Sequence, residues 1–208
     1  MKVMLINGSP HQKGCCYTAL QVISNVLEQE GIESEWVWVG NKPISGCIAC
    51  GSCYKTGTCI FDGDGLNESV EKFKDCDGLI VASPVHYASA GGAITSFMDR
   101  FFYSGSKADR RLKPGASIVS CRRGGASAAF DQLNKYFTIS EMPIVSSTYW
   151  NQVHGNTPEE VRQDLEGMRT MRVLARNMSY LLKAFKTARE NGLDYPDEEP
   201  GVMTNFIR

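Results

Sequence analysis

The chain contains no apolar run approaching the ~20 residues that a membrane-spanning helix needs. Its opening, MKVMLINGSP, is too short in its apolar part for a secretory leader and passes straight into a loop motif. A cytoplasmic protein without a membrane partner is therefore expected. No excess of charge favours either sign, since 22 Lys and Arg face 23 Asp and Glu for a net charge of -1. A nucleic-acid partner, which would call for a basic face, is not expected. There is no Gly-Lys-Ser/Thr phosphate loop and no G-x-G-x-x-G fingerprint. No Ser-His-Asp or paired-carboxylate set stands out, no segment repeats, and no linker-like stretch divides the chain. What remains is 208 residues, 42% hydrophobic and 22% charged, enough for one domain over 1–208 with a full core.

Short β-rich runs alternate with helical periodicity. Strands are predicted at 2–6, 35–39, 78–82, 116–120 and 143–146. Between them the spacing predicts helices at 16–30, 66–74, 93–103 and 126–137. Leu20, Ile23, Val26 and Leu27 share one face of the first, and Ile94, Phe97, Met98 and Phe101 one face of the third. Thr157-Pro158-Glu159-Glu160 reads as the capped start of a long last helix reaching about 191–192, followed by an irregular tail from 193. Five strands alternating with helices imply a parallel α/β sheet covered on both faces, with its ligand beyond the carboxyl ends of the strands.

Three of those ends carry suggestive residues. After the first strand, Gly8-Ser9-Pro10-His11-Gln12-Lys13-Gly14-Cys15-Cys16-Tyr17-Thr18 opens directly into a helix. Such a loop offers unpaired N–H groups and a positive dipole end to an anion. Ser9 and Thr18 can add hydroxyl donors, and His11 or Lys13 a positive charge. The plain alternative is a strand-to-helix turn that binds nothing. Cys15 and Cys16 sit at a helix start, which lowers thiol pKa, yet read as loop packing rather than as catalytic thiols. The third strand ends in Ser83-Pro84-Val85-His86-Tyr87-Ala88-Ser89-Ala90-Gly91-Gly92, an extended turn able to line a flat heterocycle. The fourth ends in Ser120-Cys121-Arg122-Arg123-Gly124-Gly125, whose two cations followed by two glycines suit an electron-rich or anionic ligand edge.

Gly8-Ser9-Pro10 followed by Gly14 resembles the phosphate loop of the NADPH-dependent FMN reductase branch of the flavodoxin-like family. The Ser-Pro-Val run at 83–85 resembles that family's isoalloxazine loop, with His86 standing where tyrosine is usual. Many members carry asparagine or cysteine at the position of Cys15 and threonine at that of Cys16, so Cys16 removes a hydroxyl. The likeness extends through Asn134-Lys135-Tyr136-Phe137, Tyr149-Trp150-Asn151-Gln152-Val153-His154-Gly155-Asn156 and Thr204-Asn205-Phe206-Ile207-Arg208. It implies a flavodoxin-like, doubly wound five-stranded parallel sheet in the order 2-1-3-4-5. It also implies FMN contacts from Ser9, His11, Lys13, Gly14, Cys15, Cys16, Thr18, Pro84, Val85, His86, Tyr87, Ala88, Gly91, Cys121, Arg122, Arg123 and Gly124. A homodimer or homotetramer is expected on the same ground.

Residues 41–65 form a Gly- and Cys-rich stretch too long for an idle connection. Cys47, Cys50, Cys53 and Cys59 give the spacing C-x2-C-x2-C-x5-C. Three thiolates two residues apart can wrap three corners of a cubane, with Cys59 as the fourth ligand. Structural zinc favours two separated C-x2-C knuckles. The compact run resembles the iron–sulfur flavoproteins, in which a [4Fe-4S] cluster lies close to FMN. A thiol-rich loop without a cluster is the other reading. Asp62 and Asp64 read as turn residues beside Gly63 and Gly65, and Cys76 as an ordinary small residue of the fold.

The family likeness makes NAD(P)H the expected reductant and FMN the carrier of the hydride chemistry, with no acid–base pair required. The alternative is an iron–sulfur flavoprotein that moves electrons between redox proteins. Neither the acceptor nor the choice between NADH and NADPH is written in the sequence.

Overall fold

The computed structural model describes every residue except Ala108, Asn205, Ile207 and Arg208, so most of the terminal segment of the family likeness lies outside the described residues. Strand β1 (Lys2–Asn7) lies between β2 (Glu33–Trp38) and β3 (Gly78–His86), both parallel to it, with Leu5 opposite Trp36 and Ile80. Strand β5 (Gly115–Cys121) pairs with β3, and β6 (Gln152–His154) with β5, again in parallel. The order β2-β1-β3-β5-β6 is the expected flavodoxin-like order, with the two-residue β4 (Ser89–Ala90) added antiparallel to the end of β3.

Because helices cover both faces, the central strands are nearly continuous apolar runs rather than alternating ones. Their side chains still divide by parity. Val3, Leu5, Ile80, Ala82 and Ile118 face α1 (Cys15–Gln29) and α7 (Leu165–Glu190), meeting Leu20, Ile23, Leu27, Met171, Leu174 and Met178. Met4, Ile6, Leu79, Val81 and Val119 face α3 (Leu66–Lys74), α4 (Gly92–Ser104) and α5 (Ala126–Ile139), meeting Phe73, Phe97, Phe101, Leu133 and Phe137. The helical faces predicted for Leu20, Ile23 and Leu27, and for Ile94, Phe97, Met98 and Phe101, are buried.

Most boundaries shift by one or two residues, and three depart further from expectation. The strand predicted at 143–146 makes only one bridge, Ile144 to Gly115, and the fifth parallel strand is Gln152–His154. The chain leaves the sheet edge because the Ser147 hydroxyl donates to the Thr170 carbonyl at 2.7 Å and Asn177 donates to the Ser146 carbonyl at 2.8 Å. It returns where the Asn151 side chain donates to the Ser117 carbonyl at 3.1 Å. Strand β3 runs past Ala82 to His86, turning into β4 through Tyr87 and Ala88, both at positive φ (50° and 59°). That two-residue hairpin form normally takes Asn or Gly, and the left-handed region costs other residues ~1–2 kcal/mol each.

The last helix is divided into α6 (Pro158–Gln163) and α7 at Asp164, whose carboxylate accepts from the Gly167 N–H at 2.9 Å and the His154 N–H at 2.8 Å. Asp164 thus caps α7 and pins β6 to it. Asp164→Ala is expected to cost ~1–2 kcal/mol, the usual loss of a helix cap, while Asp164→Asn, whose one amide oxygen can serve only one of the two N–H groups, falls between it and the wild type. A thermal melt should place the alanine variant several degrees lower, at roughly 2–4 °C per kcal/mol for a chain of this size. Equal midpoints for the two variants would refute the role. Residues 41–65 are irregular apart from the single turn α2 (Cys53–Thr56). Among the described residues no helix is long and apolar enough to cross a membrane.

Candidate functional site

The loop after β1 is held by its own side chains. Asn7 accepts from the Ser9 N–H (3.1 Å) and donates to the Gln12 carbonyl (3.0 Å), while Ser9 Oγ accepts from the His11 N–H (3.2 Å). From β2, the Trp38 indole donates to the Ser9 carbonyl at 2.9 Å, an anchor that carried no signal in the sequence. Gly8 lies so close to its neighbours that an added Cβ would stand 2.5 Å from Ile94 Cβ and 2.8 Å from the Ala82 carbonyl. Helix α1 then begins at Gly14 with no side-chain cap and no acidic residue in its first turn. Its first N–H groups and dipole are thereby left for an anion.

These residues form one wall of a cleft of about 580 Å³ at the carboxyl ends of the strands. Ser9, His11, Lys13, Gly14, Cys15 and Cys16 line it from the first loop, Pro84, Val85 and His86 from the second, and Cys121 and Arg122 from the third. Lys13 and Arg122 bring positive charge, and no acidic residue is among the lining. Ser120 and the loop Gly155-Asn156-Thr157-Pro158 complete the lining. Sequence reasoning missed this fourth wall: Thr157 and Pro158 were legible as a helix cap, and the cap is real, since Thr157 Oγ1 accepts from the Glu160 N–H at 3.2 Å. The missing signal was that the cap follows a strand end.

Six expected residues do not line the cleft. Thr18 is buried, and its hydroxyl donates to the Gly14 carbonyl at 3.1 Å, so its proton is spent inside the helix. Tyr87 and Ala88 are exposed at the hairpin tip, and Arg123 and Gly124 are exposed on the third loop. The Gly91 N–H is committed to Ser83 Oγ at 2.9 Å. The two loops nevertheless brace each other: at Gly125 (φ 89°) an added Cβ would lie 2.5 Å from Ala88 Cα. From α5, the Gln132 carboxamide oxygen accepts from Ser89 Oγ (2.8 Å) and the Ala90 N–H (3.0 Å), holding the hairpin down.

The thiols in the cleft behave contrary to their helix-start position. Burial raises the Cys15 pKa, although Ser120 hydrogen bonding works against it, and burial raises that of Cys16 strongly. The Cys15 thiol donates to the Gly155 carbonyl at 3.7 Å and Cys16 packs into the core, so desolvation outweighs the dipole and both are packing residues. Burial likewise raises the Cys121 pKa, and it pushes Cys76 up to about 11.

A second site lies on the cysteine loop. Cys47, Cys50, Cys53 and Cys59 all line one small recess, closed on the other side by Ile60, Phe61, Arg100 and Tyr103. The recess leaves about 20 Å³, room for about one water. Among the described residues, no three His, Cys, Asp or Glu are arranged around a single metal ion. All four cysteines are free thiols. The two ends of the loop differ in fixity. Cys47 and Cys50 are exposed, whereas the Cys59 backbone is clamped by Asn67, which accepts from its N–H at 3.0 Å and donates to its carbonyl at 3.1 Å. Sulfur-directed donors are in place: the Ala49 N–H points at Cys47 Sγ (3.5 Å) and Arg100 Nε at Cys59 Sγ (3.2 Å). Hydrogen bonds from the Ser52 backbone and hydroxyl lower the Cys50 pKa.

With this geometry in view, the sequence model of the NADPH-dependent FMN reductase family matches residues 1–157. An iron-sulfur flavoprotein of Methanocaldococcus jannaschii is 28% identical over 193 residues, covering 89% of this chain and all (100%) of that protein. One of Methanosarcina thermophila is 26% identical, covering 91% of this chain and 100% of its own length. Among solved structures, RosB with a bound flavin-phosphate intermediate superposes with a TM-score of 0.70 at 16% identity, over 100% of this chain and 94% of that one. A flavodoxin from the domain Archaea gives a TM-score of 0.57 at 14% identity, over 88% and 99% of the two chains. At these identities the structures establish the fold.

Proposed function

The chain belongs to the NADPH-dependent FMN reductase family, and we propose that it is an FMN-dependent oxidoreductase taking electrons from NAD(P)H and passing them to a small-molecule or protein acceptor. The observation that carries this reading is the cleft, where the uncapped start of α1 meets Lys13 and Arg122 with no carboxylate among the lining residues. FMN, when bound, supplies the hydride and electron chemistry. The first loop would hold the phosphate through its N–H groups, Ser9 and Lys13. Pro84, Val85 and His86 would line the ring, and Arg122 would place positive charge beside it. Cys15 and Cys121 stay protonated because burial raises both, so no competing thiolate faces the cofactor. His86 is exposed, which leaves this side of the cleft open to a nicotinamide.

Heat-released cofactor is expected to chromatograph as FMN, because the first loop would close on a terminal phosphate and the chain carries no G-x-G-x-x-G fingerprint for a dinucleotide. In stopped-flow mixing, NADH or NADPH is expected to bleach the flavin at a saturable rate. Release of FAD would refute the cofactor assignment. Flavin that dithionite reduces but neither nicotinamide touches would leave an electron carrier instead of an enzyme.

The cysteine recess supports a second element of the same function, a [4Fe-4S] cluster held by Cys47, Cys50, Cys53 and Cys59. The donor set fits: four thiols line one recess, N–H and guanidinium donors already point at two sulfurs, and Ile48, Ile60 and Phe61 supply apolar wall. The recess as it stands is small, and the exposed Cys47 and Cys50 half of the loop is the part free to widen it. Helix α4 starts directly after the flavin-side hairpin and reaches Arg100 eight residues after Gly92, roughly 12 Å along its axis at ~1.5 Å per residue. One helix therefore runs from the hairpin beside the cleft to the wall of the recess.

A further inference from the structure

Arg100 is 1% exposed and is the largest of the fully buried side chains. Arginine is almost never buried so completely unless it is paired, because desolvating the charge costs several kcal/mol. Its fork is fully engaged. Nη1 and Nη2 hold the Asp64 carboxylate from both sides, Nη1 also reaches the Ser45 carbonyl at 3.3 Å, and Nη2 the Phe61 carbonyl at 3.0 Å. The remaining donor, Nε, is directed at Cys59 Sγ at 3.2 Å, and the guanidinium carbon lies 5.2 Å from the centre of the Phe61 ring. A staple joining the two ends of the loop would need only the carbonyl contacts. The bond to sulfur adds a permanent positive charge at the one cysteine of the four whose backbone is clamped by Asn67.

We infer that Arg100 is a positioning residue that raises the reduction potential of the cluster through Cys59, with Asp64 setting the size of the effect. This rests on the cluster reading above. Reduction adds negative charge to the cluster, and a fixed cation with an N–H donor at one ligand sulfur stabilises that added charge. Asp64 acts in the opposite sense, because its carboxylate offsets the guanidinium it holds. The two residues therefore have opposite signs, although both brace the same loop.

The test is a potentiometric titration of the anaerobically reconstituted full chain, followed by electron paramagnetic resonance, after iron and FMN contents are measured. Arg100→Met is expected to lower the cluster potential by about 59 mV or more, a tenfold change in the oxidised-to-reduced ratio for a one-electron couple. Asp64→Asn is expected to raise it, and Arg100→Lys to stay nearer the wild type than the methionine variant. Shifts of the same sign in Arg100→Met and Asp64→Asn, or no shift in either, overturn the inference and leave a structural staple. If Arg100→Met fails to hold iron, Asp64→Asn and Arg100→Lys decide, and unchanged potentials in both overturn it. Wild-type protein that takes up no iron overturns this inference together with the cluster reading. A wild-type cluster beside unmoved variants overturns only the role of Arg100.

Discussion

Anaerobically reconstituted Cys50→Ala protein is expected to carry no stable four-iron cluster while keeping its full complement of FMN. Wild-type chain prepared in parallel should hold about four irons and four sulfides, the content of one cubane. Cys50 is the middle ligand of the compact run and faces the same recess as Cys47, Cys53 and Cys59. No substitute thiol is at hand: Cys15 and Cys121 line the other cleft, while Cys16 and Cys76 are packed into the two hydrophobic clusters. FMN should remain because the first loop is braced from β1 and β2 through Asn7 and Trp38, without any help from 47–59. The checks are iron and acid-labile sulfide assays with the visible spectrum, beside flavin released by heat. Iron-free wild-type protein after anaerobic reconstitution would remove the cluster and reduce the function to flavin reduction alone.

Gly8→Ala is expected to have the converse effect, cutting FMN affinity by roughly tenfold to a hundredfold, or ~1.4–2.8 kcal/mol. Its new Cβ would meet Ile94 Cβ at 2.5 Å and the Ala82 carbonyl at 2.8 Å, and neither is the far end of a flexible side chain. The Gly8 N–H bond to the Ala82 carbonyl, now 2.9 Å, would have to stretch, carrying Ser9 with it. Overpacking of this kind also costs ~1–3 kcal/mol of stability. Gly92→Ala is the matched control, because a Cβ there meets nothing within 4 Å. Fluorescence titration of apoprotein with FMN, alongside melting curves, reads both effects. A Gly8→Ala protein that binds FMN like the Gly92→Ala control would show that the first loop tolerates displacement and does not close on the phosphate.

The alternation of apolar runs with helical periodicity was enough to read four of the five parallel strands, most clearly the central β1, β3 and β5, whose burial leaves long uninterrupted signals, whereas their order came from the family resemblance. The fifth was misplaced. An edge strand of three residues, Gln152–His154, has too little pattern to outweigh the more apolar 143–146, and what sends the latter away is a pair of bonds to a helix more than twenty residues on. The loops nearest strand ends were legible from their local composition, and the structure brings most of their residues to one cleft. Whether a given residue faces the cleft was not: Thr18 lies one turn after Gly14, and its hydroxyl turns back onto that carbonyl. Arg100 was the least legible of all. It flanks the apolar face of a helix as an ordinary solvated arginine would, and its partners Ser45, Cys59, Phe61 and Asp64 lie 36–55 residues away.

The interrupted border of the sheet bears on how copies of this chain meet one another. A long, flat outer strand invites a neighbour to continue the ladder, the first step toward fibrous aggregation. On one side here, β6 offers three residues, and the chain before it bulges away between Ile144 and Asn151. On the other, β2 carries Glu33 and Glu35, engaged with Lys2 and Lys72, so a second β2 laid alongside would bring carboxylates toward carboxylates. Both borders therefore discourage intermolecular strand pairing, and they do so through the polypeptide alone, so the protection needs no bound group.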